Sequence, residues 1–528
     1  MLKISNLKVA PAVGDAGLKK AVAKHLGISA DAVSDVQILR RSIDARHKDD
    51  VSYVYTLAIS ADEEDALLQS ADGRISSYMP PEGYAFPYNA LSAETRPVVV
   101  GLGPAGLFAA LCLAEAGLPP IVLERGRPVE ARVSDVKRFW ETGALDTASN
   151  VQFGEGGAGT FSDGKLTTGV SDERISYVLK RLVEFGAPAD ILYLAKPHIG
   201  TDRLQKLVPA MRKALIALGS DIRFEHQMIG LRFDGGQLRE IEVSAPDGPY
   251  TLKTRHMILA PGNSARDTFE MLFRCGVQLS PKNFSVGVRI EHRQSDIDLA
   301  QYGKASTLGT LPASDYKLAV HLSGGRSVYT FCVCPGGHVV ASASEAGGVV
   351  TNGMSNYARD GANINGGLLV TVSPEDFDNA PLSGIHFQRT LEQAAFKAGG
   401  GGYKAPAQRV ADFLAQRASK KPGNVRPTYA PGVTWCNLWD VLPDFVCRAI
   451  CEALPQMGRK IRGFDSADAV LTAVETRSSS PVCIAREGFE ALGHKGLFPC
   501  GEGAGYAGGI MSAAVDGIRA AEALCASL

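Results

Sequence analysis

Apolar and polar positions follow two periods along this chain, and the changes from one to the other mark its organisation. LKISNLKVA at the start alternates with a period near two, as do residues 36–43 and 51–59, while residues 17–26 repeat every three to four. Period two is the mark of a half-buried strand and period 3.6 that of an amphipathic helix, so residues 1–90 are expected to form a small α/β unit. MPPEGYAFP, residues 79–87, is broken by proline and glycine and reads as a linker. The texture then changes. The apolar run 98–100 ends in Gly101, Gly103 and Gly106, a helical pattern beginning with Pro104 and Ala105 follows, and a second apolar run, 121–123, is closed by Glu124. This order predicts strand, tight turn, helix and second strand.

Further on, residues 201–218 carry a helical period, and residues 228–252 read as short strands separated by Asp234-Gly235-Gly236 and Pro246-Asp247-Gly248. HMILAPGNSA is an apolar strand running into Gly262. Between about 275 and 466 the signals mix, with strands near 286–290 and 327–333 and helices near Ala411 and Phe445. GLFPCGEGAGYAGGIMSAAVDGIRAAEAL then repeats the order strand, glycine-rich turn, helix.

Chemistry enters with the glycine spacing. Gly101 allows the tight turn, Gly103 lets the backbone approach a pyrophosphate, and Gly106 lets helix and strand pack closely, with the helix N-terminus facing the anion. Glu124 sits where a carboxylate at the end of the second strand accepts hydrogen bonds from both ribose hydroxyls of an adenosine and repels a 2′-phosphate. A GxGxxG alone is a weak signal; turn, helix, second strand and terminal acid together predict a dinucleotide site.

Composition narrows the class. The 528 residues are 45% hydrophobic and 21% charged, with 57 glycines and a formal charge of −1, as expected of an α/β enzyme with many special turns and no global attraction to nucleic acid or anionic membrane. No apolar stretch is long enough for a transmembrane helix and the start lacks a signal peptide's apolar core, so the expected location is cytoplasmic. The ten cysteines form no matched CxxC pairs, and the ten histidines show no ligand or triad spacing, so no metal and no general acid or base is assigned. Cys332 and Cys334 form a CxC in which packing is favoured over a redox role; Cys447 and Cys451 are four apart on an expected helix.

The segments 101–124, 256–262 and 497–517, in this order, resemble the FAD-dependent oxidoreductases of the glutathione-reductase structural superfamily. The likeness is nearest to the bacterial family of FAD-dependent, or NAD(FAD)-utilising, dehydrogenases. The resemblance implies an α/β fold: a Rossmann-like FAD-binding domain made of residues 91–275 and 466–528, an inserted mixed α+β cap over 276–465, and the small N-terminal domain 1–90. It also implies non-covalent FAD. The ADP half would lie on Gly101, Gly103, Pro104, Ala105, Gly106 and Glu124, with Arg125 and Arg132 near its phosphates. Gly262 would lie beneath the cofactor, Glu502 would hold the ribityl chain, and Gly508, Gly509, Ile510 and Met511 would approach the flavin ring. Two departures stand out: Ala260-Pro261-Gly262 replaces the usual Ala-Thr-Gly, and Glu502 replaces an aspartate. Within GEGGAGTFSDGKL, Gly157 and Gly159 belong to an expected backbone cradle.

Lys165 reads either as a cation beside the flavin or as a surface lysine, and Arg477 invites the same two readings; these are the catalytic candidates. No cysteine pair follows the fingerprint and no second nucleotide fold is visible, which leaves NADH or NADPH open as a transient reductant. The reading is a reductase or dehydrogenase holding a small-molecule substrate between cap and flavin. Its rivals are a flavin monooxygenase and a flavoprotein whose N-terminal domain binds RNA or serves docking. Arg40, Arg41, Arg46, His47 and Lys48 are interrupted by Asp44, Asp49 and Asp50, which argues against nucleic acid. Homo-oligomerisation stays open.

Overall fold

The computed structural model describes residues 1–69 and 73–528. The first unit is a four-stranded antiparallel sheet in the order Val33–Asp44, Ser52–Ala61, Leu2–Val9, Ile75–Ser77, with the helix Leu18–Leu26 packed on it. In the first strand the buried positions are Leu2, Ile4, Leu7 and Val9. A strict alternation would turn the last two outward. A register shift between Ile4 and Leu7, with Asn6 at φ 57°, inserts the extra residue that returns them to the core.

This unit is docked rather than hung on a linker. Arg41 N–H donates to the Tyr193 carbonyl at 2.8 Å and Ala195 N–H donates to the Arg41 carbonyl at 2.9 Å, so its widest strand is extended by a short piece of the main body. The Arg41 guanidinium pairs with Asp15 at 2.6 Å and lies over the rings of Tyr53 and Tyr193. Arg46 pairs with Asp44 in the same cluster. Tyr84, Phe86 and Tyr88, in and just after the proline-rich segment, pack on the core of the next domain.

That domain is a five-stranded parallel sheet in the order Leu497–Pro499, Met257–Leu259, Val98–Val100, Ile121–Glu124, Asp221–Phe224. Strands from three distant parts of the sequence are thus direct neighbours, and their C-terminal ends open on one edge, where α/β sheets bind ligands. The helix Pro104–Glu115 buries every residue from Ala105 to Ala114 because it is enclosed between the sheet, the helix Thr201–Ala217 and the closing helix Ile510–Ala526, which packs closely along it. The crossing is close: a Cβ on Gly517 would lie 2.1 Å from the Ala105 carbonyl oxygen, and one on Gly106 would lie 1.9 Å from that of Gly101. Residues 227–253 form a three-stranded meander, Gln227–Asp234, Gln237–Ser244 and Tyr250–Lys253.

The cap is a seven-stranded sheet in the order Ala319–His321, Ser327–Cys334, Asn363–Val372, Phe284–Arg293, Val470–Glu475, Ala405–Arg409, Val433–Trp435, backed by the helix Asp444–Lys460. The boundary expected at 465/466 is corrected here. Val470–Glu475 pairs on one side with Phe284–Arg293 and on the other with Ala405–Arg409, so the cap sheet extends to Glu475 and residues 466–475 do not belong to the parallel-sheet domain. Every residue of that strand is buried, which gives it no periodicity to read. Among the described residues no helix is long and apolar enough to cross a membrane.

Cap and parallel sheet are joined by buried charge. Arg266, in the helix that follows the Gly262 turn, donates through both terminal nitrogens to Glu392 of the cap helix Ser383–Ala398, at 2.9 and 2.7 Å. Arg477 donates to the same two oxygens at 3.1 and 2.9 Å, and Thr476 adds a hydroxyl at 2.6 Å. The two guanidinium groups hold the Glu392 carboxyl down to about 2 despite its burial. Glu392→Ala removes the carboxylate the two buried cations share, leaving Arg266 only Glu345 and Gln388 and Arg477 only Ser344 and the more distant Glu345, and should cost about 3–5 kcal/mol, read as a fall in the thermal midpoint. Because the folded pKa lies below the ordinary 4.5, the stabilisation is complete above about pH 4.5 and is lost as pH falls through about 2. The wild-type midpoint should therefore fall across that acid window more steeply than the variant's.

Candidate functional site

A cleft of about 700 Å3 lies between the C-terminal edge of the parallel sheet and the cap. Gly101, with φ 93°, opens it: a Cβ there would lie 2.2 Å from the Ala260 carbonyl oxygen, so only glycine allows the turns after the first and fourth parallel strands in sequence to lie side by side. Gly103, Pro104 and Ala105 line the cleft beside it. Gly157 packs its backbone on Gly103, where an added Cβ would come within 3.0 Å, and Gly159 lines the cleft next to Ile510. Glycine at Gly262, Gly508 and Gly509 answers no such crowding, since a Cβ on any of them would meet nothing within 4 Å. These three border open space on the cleft.

Glu124 ends its strand inside the cleft lining and is 5% exposed. Its carboxylate accepts three backbone N–H groups: Leu102 at 2.9 Å on one oxygen, Gly126 at 2.9 Å and Gly154 at 3.0 Å on the other. The acid therefore ties the fingerprint turn to the 150s loop, while Oε2, which accepts only the Leu102 N–H, keeps acceptor capacity. Arg125 also lines the cleft. It is paired bidentately with Asp267 and lies 4.2 Å from the Phe153 ring centroid, and its Nε is buried with no partner.

Glu502 follows the strand Leu497–Pro499, further along the same sheet edge. Burial pushes its carboxyl up to about 7, against hydrogen bonds from Asn263 Nδ2 at 2.8 Å and from the Gly509 N–H. The Gly508 N–H donates to Ser512 Oγ at 3.1 Å. The first two amides of the closing turn are thus already engaged within the protein. Asn263 also donates to the Arg477 carbonyl at 3.1 Å, which places it between the two turns and the cap.

Some expected positions fall elsewhere. Arg132 does not reach the cleft: it is fully buried, and its guanidinium donates to the carbonyls of Asn150, Val151, Gly154 and Glu155, fixing the loop that carries Gly157. Gly106 acts in helix packing and Met511 points into the core behind the cleft. Arg477 borders the cleft, but its charge is spent on Glu392 and Ser344. Lys165 does line the cleft, with Nζ 4.0 Å from Asp163. Asp163 is held more tightly by Arg359 of the cap, at 2.6 and 3.0 Å, so the trio keeps one positive charge facing the cleft. Neither Asn263 nor Arg359 is singled out by the sequence. Asn263 at least follows Gly262 directly, whereas Arg359 is brought from the cap and has no local signal.

Comparison with known proteins follows this geometry. An uncharacterized protein of Clostridium beijerinckii is 46% identical over 509 residues, covering 96% of this chain and 95% of its own. The chain belongs to that protein's family. Within it, residues 283–478 match the family described as FAD-dependent protein, C-terminal domain-like, and residues 1–60 match a domain of unknown function. The description of the matched region, residues 283–478, names FAD dependence. Among solved structures it is similar to CabE, an aromatic hydroxylase from angucycline biosynthesis, at 12% identity and a TM-score of 0.34, covering 82% of this chain and 62% of that one. A flavin-dependent brominase aligns at 11% identity and a TM-score of 0.38, covering 82% and 79%. The glycerol-3-phosphate dehydrogenase from Bacillus halodurans, complexed with FAD, aligns at 11% and 0.35, covering 82% and 64%.

The cleft of this flavoprotein suits a dinucleotide: open glycine backbone on two sides, an acid with spare acceptor capacity, and an unpartnered Arg125 Nε in the lining. Glu124→Ala should weaken FAD retention about tenfold to a hundredfold, the range for losing hydrogen bonds to a charged group. It should also lower the thermal midpoint, because three backbone amides lose their acceptor. Equilibrium dialysis beside a thermal melt separates the two effects, and unchanged FAD affinity would remove Glu124 from the site.

Proposed function

We propose that the protein is an FAD-dependent reductase or dehydrogenase of the glutathione-reductase structural superfamily, acting on a small organic molecule held between the cap and the flavin. The observation that carries this reading is the two-sided cleft. One wall is made of the glycine turns of the parallel sheet, and the other of cap residues including Lys317, Thr330, Cys332 and Asn352. FAD supplies hydride and electron transfer, and the protein contributes position, charge and exclusion of water.

Glu124 and the turn from Gly101 to Ala105 bind the adenosine and pyrophosphate. Asn263 fixes the Glu502 carboxyl through one oxygen, and with its pKa pushed up to about 7 Glu502 can hold or release a proton at the other near neutrality. Arg359 neutralises Asp163 and so frees Lys165 to favour negative charge in the cleft. The cap strands exclude bulk water behind the substrate.

Anaerobic addition of NADH, then NADPH, to the yellow holoprotein tests the reading: bleaching of the flavin absorbance by either one is expected and identifies the electron donor. Substrate-dependent oxygen consumption with hydroxylated product would favour the monooxygenase alternative instead. Lys165→Met should make the bound FAD harder to reduce, by an amount on the order of tens of millivolts. Potentials of the two proteins measured at matched salt and pH decide this, and equal values would return Lys165 to a surface role.

A further inference from the structure

The cap strand Ser327–Cys334 does not run straight into the cleft. Cys332 adopts φ 41°, an uncommon conformation for a residue with a side chain, and the pairing with Asn363–Val372 shifts between Phe331 and Cys334. Strain of this kind at a cleft wall points toward function rather than packing. Cys332 lines the cleft, and Cys334 lies fully buried behind it.

The Cys334 thiol donates to the Cys332 carbonyl at 3.3 Å, so the second cysteine folds back directly onto the first. Alternate Cα atoms of a strand lie about 6.6 Å apart, inside the span of about 4.4–6.8 Å that a disulfide bridges. Arg289, wholly buried and paired with Glu475 at 3.1 Å, donates to the Cys332 carbonyl at 2.9 Å and lies 3.7 Å from Cys334 Sγ, fixing the backbone between the two sulfurs. Cations stand on both sides of the pair, Arg289 behind and Lys165 across the cleft, while Glu502 is near enough for its carboxyl to feel Cys332. The neighbouring Cys334 and the two cations hold the Cys332 thiol down to about 6, and the same neighbour, with burial added, pushes the Cys334 thiol up. One sulfur is thereby a thiolate open to the cleft, and the other is a protonated partner behind it.

We propose that Cys332 and Cys334 form a dithiol/disulfide couple that exchanges an electron pair with the bound FAD. The inference rests on the flavin reading above. In one direction the Cys332 thiolate and the Cys334 thiol form an S–S bond, releasing two electrons and one proton. FAD takes up both electrons and the proton and becomes the singly protonated reduced flavin. In the other direction the same reduced flavin cleaves the bond, its two electrons and one proton regenerating the Cys332 thiolate and the Cys334 thiol, so charge and hydrogen balance both ways. Held reduced, the couple stores a second electron pair beside the cofactor.

The test is anaerobic dithionite titration of the FAD-loaded protein after mild oxidation with diamide and desalting. It is run on wild type, Cys332→Ser and Cys334→Ser, with mass analysis of the tryptic peptide 327–359, whose only cysteines are this pair. Wild type is expected to take up one electron pair more per FAD than either variant, with its peptide gaining two hydrogens over the titration while the flavin spectrum survives in all three proteins. Equal uptake by wild type and variants, with an unchanged peptide mass, overturns the couple but leaves the flavin reading intact. Protein that binds no FAD at all removes the reading on which the couple rests, and that failure is visible in the spectrum before any titration.

Discussion

A single carboxylate, Glu392, holds the two halves of the site at a fixed separation. It is enclosed by two guanidinium groups, one from the helix after the Gly262 turn and one from the segment that follows the last cap strand. A buried ion in this position is costly unless its partners are placed well, and here every partner lies on an element that also shapes the cleft. Arg266 begins the helix leaving the fourth parallel strand, and Arg477 shares Asn263 with Glu502. Moving the cap would break the charge cluster before it widened the cleft, so the distance between the flavin-binding turns and the cap wall is set by electrostatics in the core rather than by a hinge.

The same economy appears at Glu124. The acid that suits a ribose also gathers amides from Leu102, Gly126 and Gly154, so the fold of the phosphate turn and its ligand chemistry rest on one side chain. Further along the same sheet edge Glu502 is likewise tied to Asn263 and Gly509. The polar groups aimed at the cofactor are thus oriented before it arrives, which reduces the entropy lost on binding.

Local rules made much of this visible in the sequence. The fingerprint strand, turn and helix, the alternating strands of the first unit and the closing glycine turn all carry short-range signals, and each forms as its pattern requires. The boundary at 465/466 failed because Val470–Glu475 is buried on both faces and shows no period, so only its pairing partners reveal which sheet it joins. Arg132 and Arg477 misled for a related reason. An arginine reads as surface or ligand-facing until the carbonyls and carboxylates that consume its donors are known, and those come from other parts of the chain. The left-handed conformation of Cys332 has no sequence signature at all, since a CxC in a strand ordinarily implies nothing beyond packing.

The order of the parallel sheet has a consequence for how the protein comes into being. The strand Leu497–Pro499 and the helix Ile510–Ala526 are made some four hundred residues after Pro104–Glu115, yet the helix covers the apolar face of Pro104–Glu115. Until they emerge, that face has no lid and the dinucleotide edge lacks its third turn. A nascent chain therefore carries an exposed, aggregation-prone surface over some four hundred residues of synthesis and completes its cofactor edge only once Ile510–Ala526 has emerged. Maturation is in this sense timed by the helix Ile510–Ala526, and shortening it would act on biogenesis before it acted on catalysis.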